Sequence, residues 1–226
     1  MSTLGSTLGS TLGSTLGRYR TWTACRVCIA GPDGAGKTTL ADSLSERLRS
    51  DGHVVRHPEP RPRFVQGRTN RDHDYTKPHG LPPRSAARSV VKVLAKFIYV
   101  WFRTARDRAS SWRQPTVWVE ERGWFDHGID PARYRLADDA ASLARWLGRY
   151  VPRPDLTVVL SGEPVELAER KQELPAEVIA RQLAMWRSIQ STHQRRAWLE
   201  IDTTACSAAE ASSRILSAVE PILPDR

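Results

Sequence analysis

The clearest chemistry in the chain lies in Gly31-Pro32-Asp33-Gly34-Ala35-Gly36-Lys37-Thr38-Thr39. Gly31, Gly36, Lys37 and Thr38 fill the fixed places of G-x-x-x-x-G-K-[ST], the Walker A spacing. Its glycines let the backbone curl until several N–H groups converge on one anion. A helix beginning at Lys37 adds the positive end of its dipole. In such a loop the lysine reaches the β- and γ-phosphates of a nucleotide, and the threonine hydroxyl ligates Mg²⁺. Gly31, Asp33, Gly34, Ala35, Gly36, Lys37, Thr38 and Thr39 are therefore the expected ATP-binding residues, with Mg²⁺ on Thr38.

A nucleotide-bound Mg²⁺ needs a carboxylate beyond the loop hydroxyl. Glu120 and Glu121 follow the apolar run Thr116-Val117-Trp118-Val119, at the edge of the sheet where the loop should also lie. Side chains alternate along a strand, so only one of the two faces the loop. Arg122 comes directly after and can grip a phosphate through two parallel hydrogen bonds.

These groups need elements to hold them. Val27-Cys28-Ile29-Ala30 precedes the loop, and Leu40, Leu44 and Leu48 follow at helical spacing. The first strand is expected at 23–30, the first helix at 37–50, and a short second strand from Val54. Helices follow at 84–107 and 136–149, and a buried strand at 154–160. A helix opens at Pro164, where proline is tolerated, and a long one covers 176–197. A last strand covers 198–202. Ser207 and Glu210 form a capping box for a final helix to about 219. Strands alternating with helices predict a parallel sheet covered on both faces, with the site at the carboxyl ends of the strands.

A chain of 226 residues suits one domain, expected over 20–226. Residues 2–17 are four copies of Ser-Thr-Leu-Gly. They lack the charged and apolar regions of a signal peptide and the length of a span, and 1–19 is read as a disordered tail. Three cysteines without a signal peptide suggest a reducing cytoplasm. Cys25-x-x-Cys28 enters the loop as part of a strand, and no second such pair completes a zinc site.

The net charge of +9 is concentrated. Residues 61–119 hold 13 basic and 3 acidic residues, a density suited to phosphates, nucleic acid or an anionic membrane. No nucleic-acid-binding motif accompanies it. Within 84–107, Arg88, Lys92, Lys96, Tyr99, Arg103 and Arg106 share one stripe, and the apolar residues occupy the other faces. The expectation is a mostly buried helix with a solvated stripe, and peripheral contact with an anionic membrane is the other reading. The stretch 58–83, with six prolines, reads as a long functional loop.

The whole arrangement resembles the thymidylate kinase-like branch of the P-loop nucleoside monophosphate kinases, over roughly 24–220. The likeness rests on the loop with its internal aspartate, on His57-Pro58-Glu59-Pro60-Arg61, and on Glu121-Arg122. It also rests on Pro154-Asp155-Leu156 and on Arg170-Lys171 before Glu173-Leu174-Pro175. The resemblance implies a P-loop NTPase three-layer sandwich with a five-stranded parallel sheet and a short lid. It implies a small-molecule phosphate acceptor, such as dTMP, near Asp33, with Arg61 or Arg63 and Arg122 holding its phosphate. Glu121 takes the family's aspartate place as metal carboxylate, and Arg170 and Lys171 take the lid. With Lys37, these form the expected catalytic set. The family's Ser…Tyr-Gln segment is replaced by Gly123-Trp124-Phe125-Asp126-His127-Gly128-Ile129-Asp130-Pro131. A sugar or glycan precursor therefore stays open as acceptor, as do a non-catalytic nucleotide-binding or nucleic-acid-binding ATPase and a homodimer.

Overall fold

The computed structural model describes residues 23–58, 82–192 and 197–224. Its strands are β1 (Ala24–Ala30), β2 (Val54–Arg56), β3 (Thr116–Glu121), β4 (Leu156–Ser161) and β5 (Ala197–Asp202). They form one parallel sheet in the order β2-β3-β1-β4-β5. The helices are α1 (Lys37–Ser50), α2 (Ala86–Ser111), α3 (Asp126–Ile129), α4 (Asp138–Leu147), α5 (Pro164–Arg170), α6 (Ala176–Thr192) and α7 (Ala208–Val219). The tail expected over 1–19 lies outside the described residues.

Strand alternation sorts the core into two layers. Cys25, Val27 and Ile29 of β1 and Val117 and Val119 of β3 pack with Leu40, Leu44 and Leu48 of α1 and Ile215 and Val219 of α7. Cys28 and Ala30 face the other way, toward Ile129 and Trp186. Two covered faces explain why β1 is buried at every position. Cys25 and Cys28 are unbonded and buried. Burial, with Asp155 adding to it, pushes the Cys25 thiol up to about 12, which suits packing rather than redox or metal work.

Two helix boundaries and one short helix differ from the sequence pattern. The helix read over 176–197 is described from Ala176 to Thr192, and Ala197 instead pairs with Leu156 as the first residue of β5. The four-residue α3 has too few turns to leave a period. The helix read over 84–107 runs from 86 to 111, beyond Pro82 and Pro83.

The orientation of that helix is also partly reversed. Arg103 of the expected solvated stripe is 7% exposed, whereas Val91, Ile98 and Phe102 are 65%, 68% and 66% exposed. Polar contacts draw the basic edge inward. Arg103 donates to Glu120 at 2.6 Å, and Lys92 donates to the Tyr134 carbonyl at 2.5 Å. Ser89, Val93, Thr104 and Ser111 supply small side chains on the buried side. Among the described residues, no helix is long and apolar enough to cross a membrane.

Candidate active site

The loop 31–36 joins the end of β1 to the start of α1. Gly31 and Gly34 have φ of +139° and +87°, and a Cβ on either would collide with a backbone carbonyl, that of Leu160 or Leu167. Only glycine meets both demands. Gly36 precedes α1 in the left-handed region, and no side chain caps the helix. The first turn of α1 has no acidic residue, so its amides and dipole favour an anion. Ala35 is buried, and Thr38 and Thr39 are exposed at the helix start.

Lys37 is 5% exposed. Its Nζ donates to the carbonyls of Gly31 at 2.9 Å and Pro32 at 2.6 Å and lies 3.6 Å from Asp33 Oδ1. Burial pushes its pKa down and Arg122 acts the same way, while the Asp33 carboxylate opposes them.

The two adjacent glutamates point to opposite faces of the sheet. Glu121 shares the side of Val117 and Val119 and accepts a hydrogen bond from the Thr38 hydroxyl at 2.8 Å. Glu120 faces α2, where it accepts from Arg103 at 2.6 Å and Arg26 at 3.4 Å. Thr38 and Glu121 thus meet across two elements as a pair of hard oxygen donors, which fits Mg²⁺. Among the described residues, no three His, Cys, Asp or Glu side chains form a metal cluster. Mg²⁺ on a nucleotide typically uses only one or two protein carboxylates beside phosphate oxygens.

Arg122 turns away from β3 with φ +61°, uncommon for a non-glycine residue. Its amide still donates to Ile29 at 3.0 Å, and its guanidinium donates to Asp33 Oδ1. The second oxygen of Asp33 accepts from Arg133 at 2.6 Å. Burial alone would raise the Asp33 pKa. The Lys37 charge, the Arg122 hydrogen bond and charge, and the Arg133 charge override it, holding the carboxyl well below the usual range.

Asp126, at the start of α3, is 6% exposed. Its Oδ2 is buried with no hydrogen-bond partner. Burial pushes its carboxyl well up, Lys37 and Arg122 pull it down, and Asp130 pushes with burial. Beside it, His127 stacks 4.0 Å from the Tyr134 ring and 5.5 Å from Trp124. Its Nδ1 lies 3.1 Å from the Trp124 carbonyl. A carbonyl only accepts, so Nδ1 carries the proton. Burial, with Lys96 adding, pushes this imidazole down to about 3, so it is neutral.

Arg170 and Lys171 close α5 near the loop. A Cβ on Gly34 would lie 3.5 Å from that of Lys171. Arg170 donates to Glu166 at 2.6 Å and to the Thr203 carbonyl at 3.1 Å, and Lys171 pairs with Glu173 at 3.1 Å. The structure therefore gathers Asp33, Lys37, Thr38, Glu121 and Arg122 at the carboxyl edge of the sheet. It sets Arg170 and Lys171 beside the loop with their charges already matched. Arg61 and Arg63 lie outside the described residues. Asp126 and Arg133 join the cluster without having been singled out from sequence. Their one signal was a run of titratable residues, Asp126-His127…Asp130…Arg133-Tyr134, directly after β3.

The glycine loop between β1 and α1 and the parallel sheet order define the three-layer P-loop NTPase fold. Among solved structures, thymidylate kinase from Ehrlichia chaffeensis matches with a TM-score of 0.54 and 16% identity, over 87% of this chain and 98% of that chain. The fold is therefore thymidylate kinase-like. No family model matches the chain, and neither does any curated protein.

Proposed function

We propose that the chain is an ATP-dependent phosphotransferase, moving the γ-phosphoryl group to a small acceptor. The observation that carries this reading is the 2.8 Å hydrogen bond between Thr38 and Glu121, beside a buried Lys37 in a Walker A loop. It joins the hydroxyl and the carboxylate that a Mg²⁺–nucleotide needs. The thymidylate kinase-like fold supports it. Lys37 and the loop amides hold the donor phosphates, and Thr38 and Glu121 would hold Mg²⁺. The metal supplies charge neutralisation on the moving phosphoryl group. Arg122, held on Asp33 beside the loop, would steady the phosphate of the acceptor, and Arg170 and Lys171 would supply further charge and exclude water as the segment after α5 closes.

Such an enzyme positions and neutralises more than it reacts covalently. Lys37→Ala should therefore lower turnover by about 10²–10³-fold, the usual effect of removing one aligned electrostatic donor. The test measures label transfer from γ-labelled ATP together with thermal melting. Wild-type turnover in a folded Lys37→Ala protein would overturn the reading. A nucleoside monophosphate such as dTMP is the acceptor that the fold suggests. A sugar or glycan precursor is the alternative acceptor, since Gly123-Trp124-Phe125-Asp126-His127-Gly128-Ile129-Asp130-Pro131 replaces the segment with which the resembled family reads its nucleobase.

A further inference from the structure

Resting on the phosphotransferase reading, we propose that His127 Nε2 accepts a hydrogen bond from an N–H or O–H group of the acceptor and so decides which acceptors are used. The first observation is place. His127 lines the same cleft as Glu121 and Arg122, and Lys92, Trp124 and Tyr134 line it too. Glu121 and Arg122 are the groups that meet the metal and the acceptor phosphate in the proposed site. The cleft therefore joins His127 to the reacting end.

The second observation is how firmly the imidazole is held. Its ring stacks on Tyr134 at 4.0 Å and on Trp124 at 5.5 Å, within 24° of parallel to each. Phe97 of α2 meets Trp124 edge-on at 5.8 Å and closes the row. Lys92 of α2 fixes the other end, donating to the Tyr134 carbonyl at 2.5 Å with its ammonium 5.9 Å from the Tyr134 ring. These rings spend their faces on one another and on His127, so they hold the imidazole rather than a ligand. Turning the imidazole over would break the bond from Nδ1 to the Trp124 carbonyl, 3.1 Å long. The third observation is the nitrogen left over. Nδ1 carries the proton, so Nε2 carries a lone pair. Among the described residues nothing donates to Nε2. It is also absent from the buried polar atoms that lack a partner, so it is reached from the cleft. Burial, then Lys96, then Lys92 keep the ring neutral against the pull of the Trp124 carbonyl. Nε2 thus stays an acceptor at physiological pH.

A fixed, acceptor-only nitrogen selects by what it is offered. A ligand N–H or O–H replaces the water that would otherwise bond Nε2. A ligand offering carbon or a second lone pair displaces that water and returns nothing, and sites built to bond a donor reject the analogue lacking it by large factors. In dTMP the donor is the imide N–H of the base, and in a phosphosugar it is a hydroxyl. Nε2 reads both by the same chemistry. The reading is separate from whatever grips the acceptor phosphate, so it does not depend on which cations do so.

The test gives the wild-type chain γ-labelled Mg–ATP and matched acceptors. One arm pairs dTMP with its difluorotoluene isostere, which has C–H in place of the imide N–H and fluorine in place of the carbonyl oxygens. The other pairs glucose 1-phosphate and mannose 1-phosphate with their monodeoxy analogues. In one arm kcat/KM should favour the donor-bearing member by at least about 10²-fold, and that arm names the source of the donor. His127→Phe keeps a ring in the stack and removes the nitrogen. It should shrink that preference by at least about tenfold, with ATP affinity within twofold of wild type. His127→Gln, whose side-chain oxygen accepts, should keep part of the preference. A ring that only supports the fold would lower both members alike in His127→Phe. An unmoved ratio would therefore overturn the proposal and leave the phosphotransferase reading standing. Equal use of both members by the wild type would do the same, and that result needs no variant to fold. Label transfer unaffected by Lys37→Ala would instead remove the phosphotransferase reading, and the proposal with it.

Discussion

His127 and the glutamate pair make separate predictions. His127 is buried and neutral, with a pKa held down to about 3 against an ordinary 6.5. The unfolded chain therefore takes up a proton near pH 6.5 that the native chain refuses. As pH falls through that window toward 3, protonation favours the unfolded state. The slope is about 1.4 kcal/mol per pH unit at most. Denaturant unfolding at pH 7, 6, 5 and 4 should show wild type losing stability more steeply than His127→Gln, by about 1 kcal/mol per unit. Equal slopes would mean that this ring is not held neutral. The glutamates separate in the same way. Glu121→Gln removes a charge from the Thr38 pair and should abolish Mg²⁺-dependent transfer while moving stability by less than about 0.5 kcal/mol, because the site is exposed. Glu120→Ala strips the partner of two buried arginines, so it should lower unfolding free energy by about 3 kcal/mol. Metal-dependent kinetics and denaturant melts of the two variants check both outcomes. A large stability loss in Glu121→Gln and none in Glu120→Ala would reverse the assignment of faces.

Among the elements, α2 and the α5–α6 junction carry the main lessons. The phosphate loop, α1 and the strands around them were legible in sequence because local rules decide them. A fixed glycine spacing, leucines at every fourth place and a Ser207–Glu210 capping box each act over a few residues, and the capping box is formed as read. The orientation of α2 was not legible in that way. Its amphipathic pattern has two candidate inner faces, and the choice was made by Arg26 of β1, far from it in sequence, together with Glu120 at the end of the strand that follows it. Asp107 joins that buried network at 3.8 Å from Arg26. Arg133 escaped notice for the same reason, since only folding brings it to Asp33, 100 residues away. At the junction, Arg170 and Lys171 have partners within their own surroundings, Glu166, Thr203 and Glu173. For either cation to meet a phosphoryl group, these bonds must be exchanged as the segment closes. Their effect should then appear in turnover rather than in ATP affinity. The double variant Arg170→Ala with Lys171→Ala should lower turnover by about 10²-fold, with ATP affinity within twofold. Steady-state kinetics and direct ATP titration separate the two. A loss confined to ATP affinity would place both cations on the bound nucleotide instead.

For the whole molecule, the reversal of α2 leaves an apolar stripe on the surface. Val91, Leu94, Ile98, Trp101 and Phe102 are all exposed, along a helix of 26 residues. Stripes of this kind on soluble chains mark contact surfaces. Two occupants fit an apolar face with a basic edge, a second copy of the chain or an anionic membrane. The basic edge is partly consumed, because Arg103 is bound to Glu120 and Lys92 to the Tyr134 carbonyl, which weakens the electrostatic part of membrane binding. The stripe itself is self-complementary. Turned antiparallel about Ile98, it sets Trp101 against Ala95, Phe102 against Leu94, Val91 against Ala105 and Ala87 against Ala109. Trp101 and Val91 then meet alanines, while Phe102 meets Leu94 across the axis, and the same patch serves both copies, as a two-fold interface requires. Arg88 and Arg108 fall toward the ends, where solvent screens their repulsion. The expected outcome is a dimer in sedimentation velocity at micromolar concentration. Ile98→Lys places two like charges at the axis and should give a monomer with unchanged circular dichroism and melting. Because Ile98 is exposed in the single chain, that substitution leaves the core untouched. A wild-type monomer that floats with phosphatidylserine vesicles, and loses that binding in Ile98→Lys, would give the stripe to the membrane instead.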